Sequence, residues 1–396
     1  MAKSMLILWT IRSLILQVVE GGRSAHVPAM FIFGDSLADA GTNNYIPNCT
    51  ARADFSPYGV SSFLSPTGRF TNGLTVFDFV ERDAFVIAAT QLELPLIPPY
   101  RELPFNQSIY SYGANFASRG SGLLDSTGLQ KGVVKLSDQI SKFEEFSKRI
   151  RKKSYLSNSL YCISSGGNDI KAHLESLLNG SSLTQLNISS LTHTTSYLQL
   201  NPTSLIETPF VNSLVRAHRR YIQRLHRAGA RNFLILDISA VGCTPSARLK
   251  RHLLLPFFDP EDNGMCEALG NTVAPVCSDA LKSLLDQLNE KLEGVNIILL
   301  NSFHYLENMY YDGKAFGFSE TKSACCGSGL YGANVSCGLS TPPDLYCDDP
   351  DTHLFWDAMH PTQKAYSIFA EEIWGGNSSV MYPFNLSTLI FGLNKQ

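Results

Sequence analysis

The chain has 396 residues, 44% of them hydrophobic and 17% charged, with a formal net charge of −3. That apolar content supplies a large core and excludes a chain that is disordered throughout, and the length still fits one large α/β domain. The slightly acidic balance excludes the basic footprint that a nucleic-acid partner requires.

From the N-terminus, residues 1–25 have the layout of a secretory signal peptide. Met1-Ala2-Lys3 precedes an apolar stretch from Met5 to Val19, followed by the small residues Gly21, Gly22, Ser24 and Ala25. Arg12 interrupts the apolar run, so no integral membrane anchor is expected. Residues 26–396 are then expected to form a single domain. Asn-x-Ser/Thr sequons at Asn48, Asn106, Asn179, Asn187, Asn334, Asn377 and Asn385 are glycosylation acceptors only on the secretory route, so they point to an extracellular or cell-wall destination. The nine cysteines point the same way. Cys325, Cys326, Cys337 and Cys347 fall in a Gly-rich stretch without apolar periodicity, where covalent staples add most. Zinc is the rival reading there, against which stand the lack of a Cys-x2-Cys pair and of a ligand His before His353. Cys243 and Cys266, near each other in sequence, are a further expected pair, and Cys162 in an apolar run reads as a buried core residue.

Apolar runs bounded by turn residues predict strands at Val27 to Phe33, Ser159 to Ile163, Asn232 to Asp237 and Val295 to Leu300. Between them, helical spacing predicts helices at about Val134 to Lys152, Phe210 to Arg227 and Cys277 to Leu292, with Gly229 capping the second. The basic clusters around Lys148 to Lys153 and Arg216 to Arg227 flank or interleave with apolar stripes and read as solvated helix faces. Strand and helix alternating in this way give a parallel sheet covered on both faces, whose ligands bind beyond the carboxyl ends of the strands. Two stretches fit poorly. Glu81 to Gln91 is an apolar insert that extends a preceding helix or forms a flap, and Leu174 to Thr208 reads as a surface excursion.

The chemistry sits at those strand ends. Ser36, in Gly34-Asp35-Ser36-Leu37, follows the first strand, and Asp357-Ala358-Met359-His360 lies near the far end of the chain. A serine hydroxyl becomes a good nucleophile when an imidazole accepts its proton and a carboxylate orients that imidazole. Ser36, His360 and Asp357 are the candidates for those three parts. The oxyanion formed by attack needs preorganised donors. The backbone N–H of Ser36, a close backbone approach at Gly120 and the side-chain amide of Asn168, in Gly166-Gly167-Asn168-Asp169, are the candidates. Asp169 reads as structural, and the remaining histidines show no metal-ligand spacing.

Together these blocks resemble the GDSL branch of the SGNH hydrolase family, especially its secreted plant esterase/lipase type. Gly34-Asp35-Ser36-Leu37, Gly120, Gly166-Gly167-Asn168-Asp169 and Asp357-Ala358-Met359-His360-Pro361-Thr362 match its four blocks in order. Ser65 to Gly73, Leu96 to Tyr100 and Ala324 to Gly327 extend the likeness over nearly the whole mature chain. The resemblance implies a three-layer α/β/α sandwich with a central, mostly parallel sheet. It also implies a catalytic Ser36, His360 and Asp357, an oxyanion hole of Ser36, Gly120 and Asn168, and hydrolysis of small-molecule or lipid carboxylic esters without cofactor or metal. Arg119 departs from the pattern, where a glycine is common, and is expected to narrow or charge the pocket mouth. Transfer of the acyl group to an alcohol, or a non-catalytic secreted protein that keeps the fold, are the alternatives.

Overall fold

The computed structural model describes residues 27–82, 94–101, 109–180, 208–254, 264–338 and 346–392. The expected signal peptide, most of the insert after Glu81, Asn106 and Asn187 lie outside them.

The first half of the chain alternates strand and helix. It runs through β1 (Met30–Gly34), α1 (Val76–Arg82), β2 (Gly113–Asn115), α2 (Leu136–Ser147), α3 (Lys153–Asn158), β3 (Leu160–Ser164) and α4 (Gly167–Gly180). The alternation continues through α5 (Thr208–Arg227), β4 (Asn232–Leu236), α6 (Pro245–Leu254), α7 (Ala268–Lys291) and β5 (Asn296–Leu300). After α8 (Ser302–Tyr311) come β6 (Glu320–Ala324), β7 (His353–Phe355), α9 (Gln363–Gly375) and β8 (Met381–Tyr382).

One sheet has the order β2-β1-β3-β4-β5-β8, with β2 to β5 parallel to their neighbours and β8 antiparallel at the edge. Every residue of β1 and β3 is buried, as is β4 beyond Asn232 and β5 beyond Asn296. Strands buried on both faces must be covered by helices on both faces, which is why they read as unbroken apolar runs. Right-handed crossovers place α1, and α9 which packs against it, on one face, and α2, α5 and α7, which pack in series, on the other. The expected α/β/α layering is therefore the one found.

The strand order reverses between β1 and β3, and the crevice outside their carboxyl ends is where such sheets bind ligands. Ser36 follows β1 and Asn168 follows β3. A second, two-stranded sheet pairs β6 with β7, and the chain leaving β7 carries Asp357 and His360 back to that same crevice.

Differences from the sequence reading have local causes. The predicted helix from Val134 to Lys152 is shorter, α2 ending at Ser147, and the exposed Arg149 and Arg151 lie in the link to α3, which begins only at Lys153. Helix α7 starts well before Cys277. Gly270 and Pro275 weaken a helix in isolation, but here the stretch packs on α4 and on the Cys243 segment. Leu174 to Gly180, expected in a surface excursion, instead continues α4, and the rest of that stretch up to residue 207 lies outside the described residues. Glu81 belongs to the last turn of α1. It is buried, and its Oε2 accepts the N–H of Ile97 at 2.8 Å. The basic clusters are surface features: Lys148, Arg149, Arg151, Lys152, Lys153, Arg216, Arg220 and Arg227 are exposed. Arg224 reaches Glu144 of α2 through Nε at 2.9 Å and Nη2 at 2.7 Å.

Three disulfides form: Cys243–Cys266, Cys325–Cys347 and Cys326–Cys337. The first is the expected pair, and the other two use the four clustered cysteines. Cys49, Cys162 and Cys277 stay free and buried. The clustered pair matters for the site, because Cys325 N–H donates to Phe355 O at 3.0 Å and Cys326 N–H to Trp356 O at 2.7 Å. The stapled segment thus carries the strand that leads into the Asp357–His360 turn.

Candidate active site

At the end of β1 the chain turns sharply. Gly34 has φ of 141°, and a Cβ there would sit 2.0 Å from the carbonyl oxygen of Ser164, so only glycine lets β1 and β3 approach this closely. Asp35 N–H then donates to Ser164 O, and Ala38 and Asp39 N–H return to Asp35 O at 3.2 and 3.0 Å, closing a tight turn that lifts Ser36 into the crevice. Gln139 of α2 fastens this turn from below. Its Oε1 accepts Gly34 N–H at 2.9 Å, and its Nε2 donates to Gly34 O at 2.9 Å. Gln139 is fully buried among Leu136, Ile140 and Phe143, and a polar residue on an apolar helix face is the sequence signal that marks such a clamp.

His360 Nε2 lies 2.8 Å from Ser36 Oγ, across 324 positions of sequence. Its Nδ1 lies 2.8 Å from both carboxylate oxygens of Asp357. Asp357 is held in turn: Oδ1 accepts the N–H groups of Met359 and His360, each at 2.8 Å, and Oδ2 accepts the Tyr58 hydroxyl at 2.7 Å. Burial alone would raise this carboxyl. The His360 imidazole, the Met359 N–H and the Tyr58 hydroxyl outweigh burial and bring it down to about 2. Trp356 N–H donates to His360 O at 2.8 Å, which closes the loop carrying both residues.

Tyr58 and Phe70 were not legible as site residues. Both lie in irregular loops, without periodicity to single them out. Phe70 is buried with its ring 5.2 Å from the imidazole of His360, and the Arg119 guanidinium lies 4.1 Å over Phe70 on its way to Arg52 O. Arg119 therefore stacks on the ring behind the imidazole and does not line the cavity, contrary to expectation; the aromatic face gives its cation a partner away from the mouth. The Tyr58 hydroxyl bonds a carboxylate, and such bonds are worth about 1.5–3 kcal/mol. Tyr58→Phe is therefore expected to lower kcat about tenfold with KM little changed, as measured by steady-state hydrolysis of a short ester. Unaltered kcat would remove Tyr58 from the positioning set.

Asn168 lines the same cavity as Ser36 and His360, with its Nδ2 3.0 Å from Ser121 O and 3.5 Å from Asp35 Oδ2. Gly120 does not line that cavity. It lies in the 118–121 turn, which is tied to the end of β1 through Ser118 N–H and Ser121 Oγ, both 2.9 Å from Gly34 O. Asp169 is structural. It accepts the N–H groups of Leu123 and Leu124 and the Thr127 hydroxyl, and a Cβ on Gly122 would sit 2.4 Å from its Oδ2. Of the sequons, Asn48, Asn334 and Asn377 are exposed, whereas Asn385 is half-buried with its amide donating to Gly376 O. Asn179 lies in the last turn of α4.

Burial around the site raises several carboxyls. Asp35 is pushed up to about 7, chiefly by burial, with Asp169 and Asp39 adding and the Leu37 N–H opposing. Asp39 and Asp237 are each raised to about 6, again by burial first. A carboxyl whose folded value exceeds its unfolded value, near 3.9, favours the fold when protonated and costs stability as pH rises through 6 to 7. His218, pushed down by burial to about 4, works the other way below about 6.5. The three carboxyls outnumber it, so the denaturation midpoint is expected to be higher at pH 6 than at pH 8. A higher midpoint at pH 8 would contradict these assignments.

Fold and geometry together define the class: an α/β protein with a serine, a histidine and a carboxylate in one hydrogen-bonded line at the switch point of its sheet. Residues 30–373 match the family described as GDSL-like Lipase/Acylhydrolase, and the chain belongs to that family. It is 33% identical over 394 residues to GDSL esterase/lipase 6 of Arabidopsis thaliana, covering 98% of this chain and 97% of that one. It is 32% identical to GDSL esterase/lipase 5 of the same plant (92% and 88% covered) and 30% identical to a GDSL lipase of Tanacetum cinerariifolium (93% and 89%). The chain is a hydrolase acting on carboxylic esters. Among the described residues no helix is long and apolar enough to cross a membrane.

Proposed function

We propose that the chain is a secreted serine esterase that works through an acyl-Ser36 intermediate. The carrying observation is the continuous line from Asp357 through His360 to Ser36, each link at 2.8 Å. Ser36 Oγ attacks the ester carbonyl carbon as its proton passes to His360 Nε2, while Asp357 stabilises the imidazolium on the other side. The Ser36 N–H and the Asn168 amide, which border the cavity, receive the oxyanion, whereas Gly120 stands back from it in the 118–121 turn. Collapse breaks the bond to the alcohol, which leaves with the proton from His360. Water then attacks the acyl-Ser36 carbonyl, gives its proton to His360, and the acid departs as that proton returns to Ser36.

Secretion as one domain, residues 26–396 after a leader, is supported by the three disulfides, which persist in oxidising compartments, and by the exposed sequon asparagines Asn48, Asn334 and Asn377. The test of the acyl-enzyme is pre-steady-state hydrolysis of p-nitrophenyl butyrate. A p-nitrophenol burst near one equivalent per chain is expected when deacylation is slow, together with an acyl mass added to the chain on acid quench. No burst and no added mass would count against the covalent route. With glycerol as a co-substrate, hydrolysis yields free butyrate, whereas an acyltransferase would yield a glycerol ester.

A further inference from the structure

Two neighbouring cavities lie beside the reacting serine, of which the larger borders it. The larger, about 180 Å³, is bordered by Ser36, Asn168 and His360, and the smaller, about 70 Å³, is walled mainly by aliphatic and aromatic side chains such as Val76, Leu236, Leu306 and Phe369. Leu37, Val241, Thr244 and Met359 border both, so the smaller cavity adjoins the larger one at the residue that follows Ser36.

The larger cavity carries something that an apolar ester does not need. Lys171, one helical turn beyond Asn168 on α4, borders only the larger cavity. Its Nζ lies 3.5 Å from Met359 Sδ, a weak acceptor, and that sulfur is its only hydrogen-bonding partner among the described residues. Glu175, the acid one turn further on, is ion-paired with Lys250. Burial lowers the Lys171 ammonium, Lys250, Lys131 and Arg119 press in the same direction, and Glu175 opposes them. Asp35, Glu175 and Glu267 border the cavity too, but none of them bonds the Lys171 ammonium, and a half-buried ammonium held only by a thioether is stabilised when an anion enters beside it.

We propose that Lys171 selects esters whose alcohol part carries an anionic group, a carboxylate or a phosphate, while the acyl chain runs past Leu37 and Met359 into the smaller cavity. This rests on the esterase reading of Ser36 and His360. The acyl side follows from the apolar walls of the smaller cavity, and the alcohol side from the placement of Lys171 in the larger one.

The test compares acid release from hexanoyl esters of glycerol, glycerate and glycerol 3-phosphate by wild type, Lys171→Met and Lys171→Arg. Wild type is expected to favour at least one anionic ester over the glycerol ester by roughly tenfold or more in kcat/KM, and the anion that wins distinguishes carboxylate from phosphate. Lys171→Met collapses that ratio towards one, and Lys171→Arg keeps it. A wild-type ratio near one, or the same ratio in Lys171→Met, overturns the proposal. Methyl hexanoate and monomethyl adipate, which moves the charge to the acyl end, form the control pair, and an equal gain for adipate overturns the assignment to the alcohol side. If none of these esters is hydrolysed, the esterase reading fails separately. Calorimetric binding of hexanoylglycerate and hexanoylglycerol to wild type and Lys171→Met then decides on Lys171: tighter binding of the anion that is lost in the variant sustains its role, and equal binding removes it.

Discussion

Ser36→Ala is expected to lower kcat on short esters by on the order of 10⁶-fold while the protein keeps its fold. The hydroxyl makes one side-chain hydrogen bond, to His360 Nε2, at the rim of a cavity that can admit water. Its loss therefore leaves an imidazole nitrogen that solvent can satisfy, at a stability cost of about 1 kcal/mol. The turn itself is fixed by backbone bonds and by Gln139, none of which uses the Ser36 side chain. Without Oγ no acyl-enzyme forms, and the residual rate is what oxyanion donors and binding provide to a water attack. A denaturation midpoint lowered by no more than about 2–4 °C, with activity gone, is the expected pair of results. Retained hydrolysis would place the nucleophile elsewhere.

The second large effect is at Asp357. Asp357→Asn is expected to cost roughly 10⁴-fold in kcat, less than His360→Ala, which removes the base itself. An asparagine with its oxygen at the Oδ1 position can still accept the Met359 and His360 N–H groups and hold the imidazole, and its amide faces the Tyr58 hydroxyl, which can accept. Geometry is thus partly kept. What disappears is the negative charge that stabilises the imidazolium in the transition state, a charge that the structure maintains by holding the carboxyl down at about 2. Equal losses in the two variants, or a greater loss in Asp357→Asn, would contradict the division of roles between base and orienter.

The central strands could be read from the sequence because buried parallel strands need apolar residues on both faces, so β1, β3, β4 and β5 appear as runs such as Met30-Phe31-Ile32-Phe33 and Asn296-Ile297-Ile298-Leu299-Leu300. Ser36 and Asn168 were legible for a related reason: each follows such a run directly, and the carboxyl ends of adjacent strands share one crevice. The short pieces were not. β2, β7 and β8 are too brief to show alternation, and β6 is only partly buried, so its sequence lacks a core face. Tyr58 reaches Asp357 across 299 positions from an irregular loop, a contact that no local pattern encodes. Leu174 to Gly180 looked like loop because Ser176 and Asn179 dilute the apolar spacing, yet it continues a helix whose start is fixed by Asp169 and the chain leaving β3.

The most direct test is to treat the disulfide-bonded protein with a fluorophosphonate and map the adduct by peptide mass spectrometry. One phosphonyl group per chain, on the peptide containing Ser36 and absent when His360 is alanine, is the predicted result. An adduct on another residue, or labelling of Ser36 that does not depend on His360, would contradict the proposal that His360 activates Ser36 as the nucleophile.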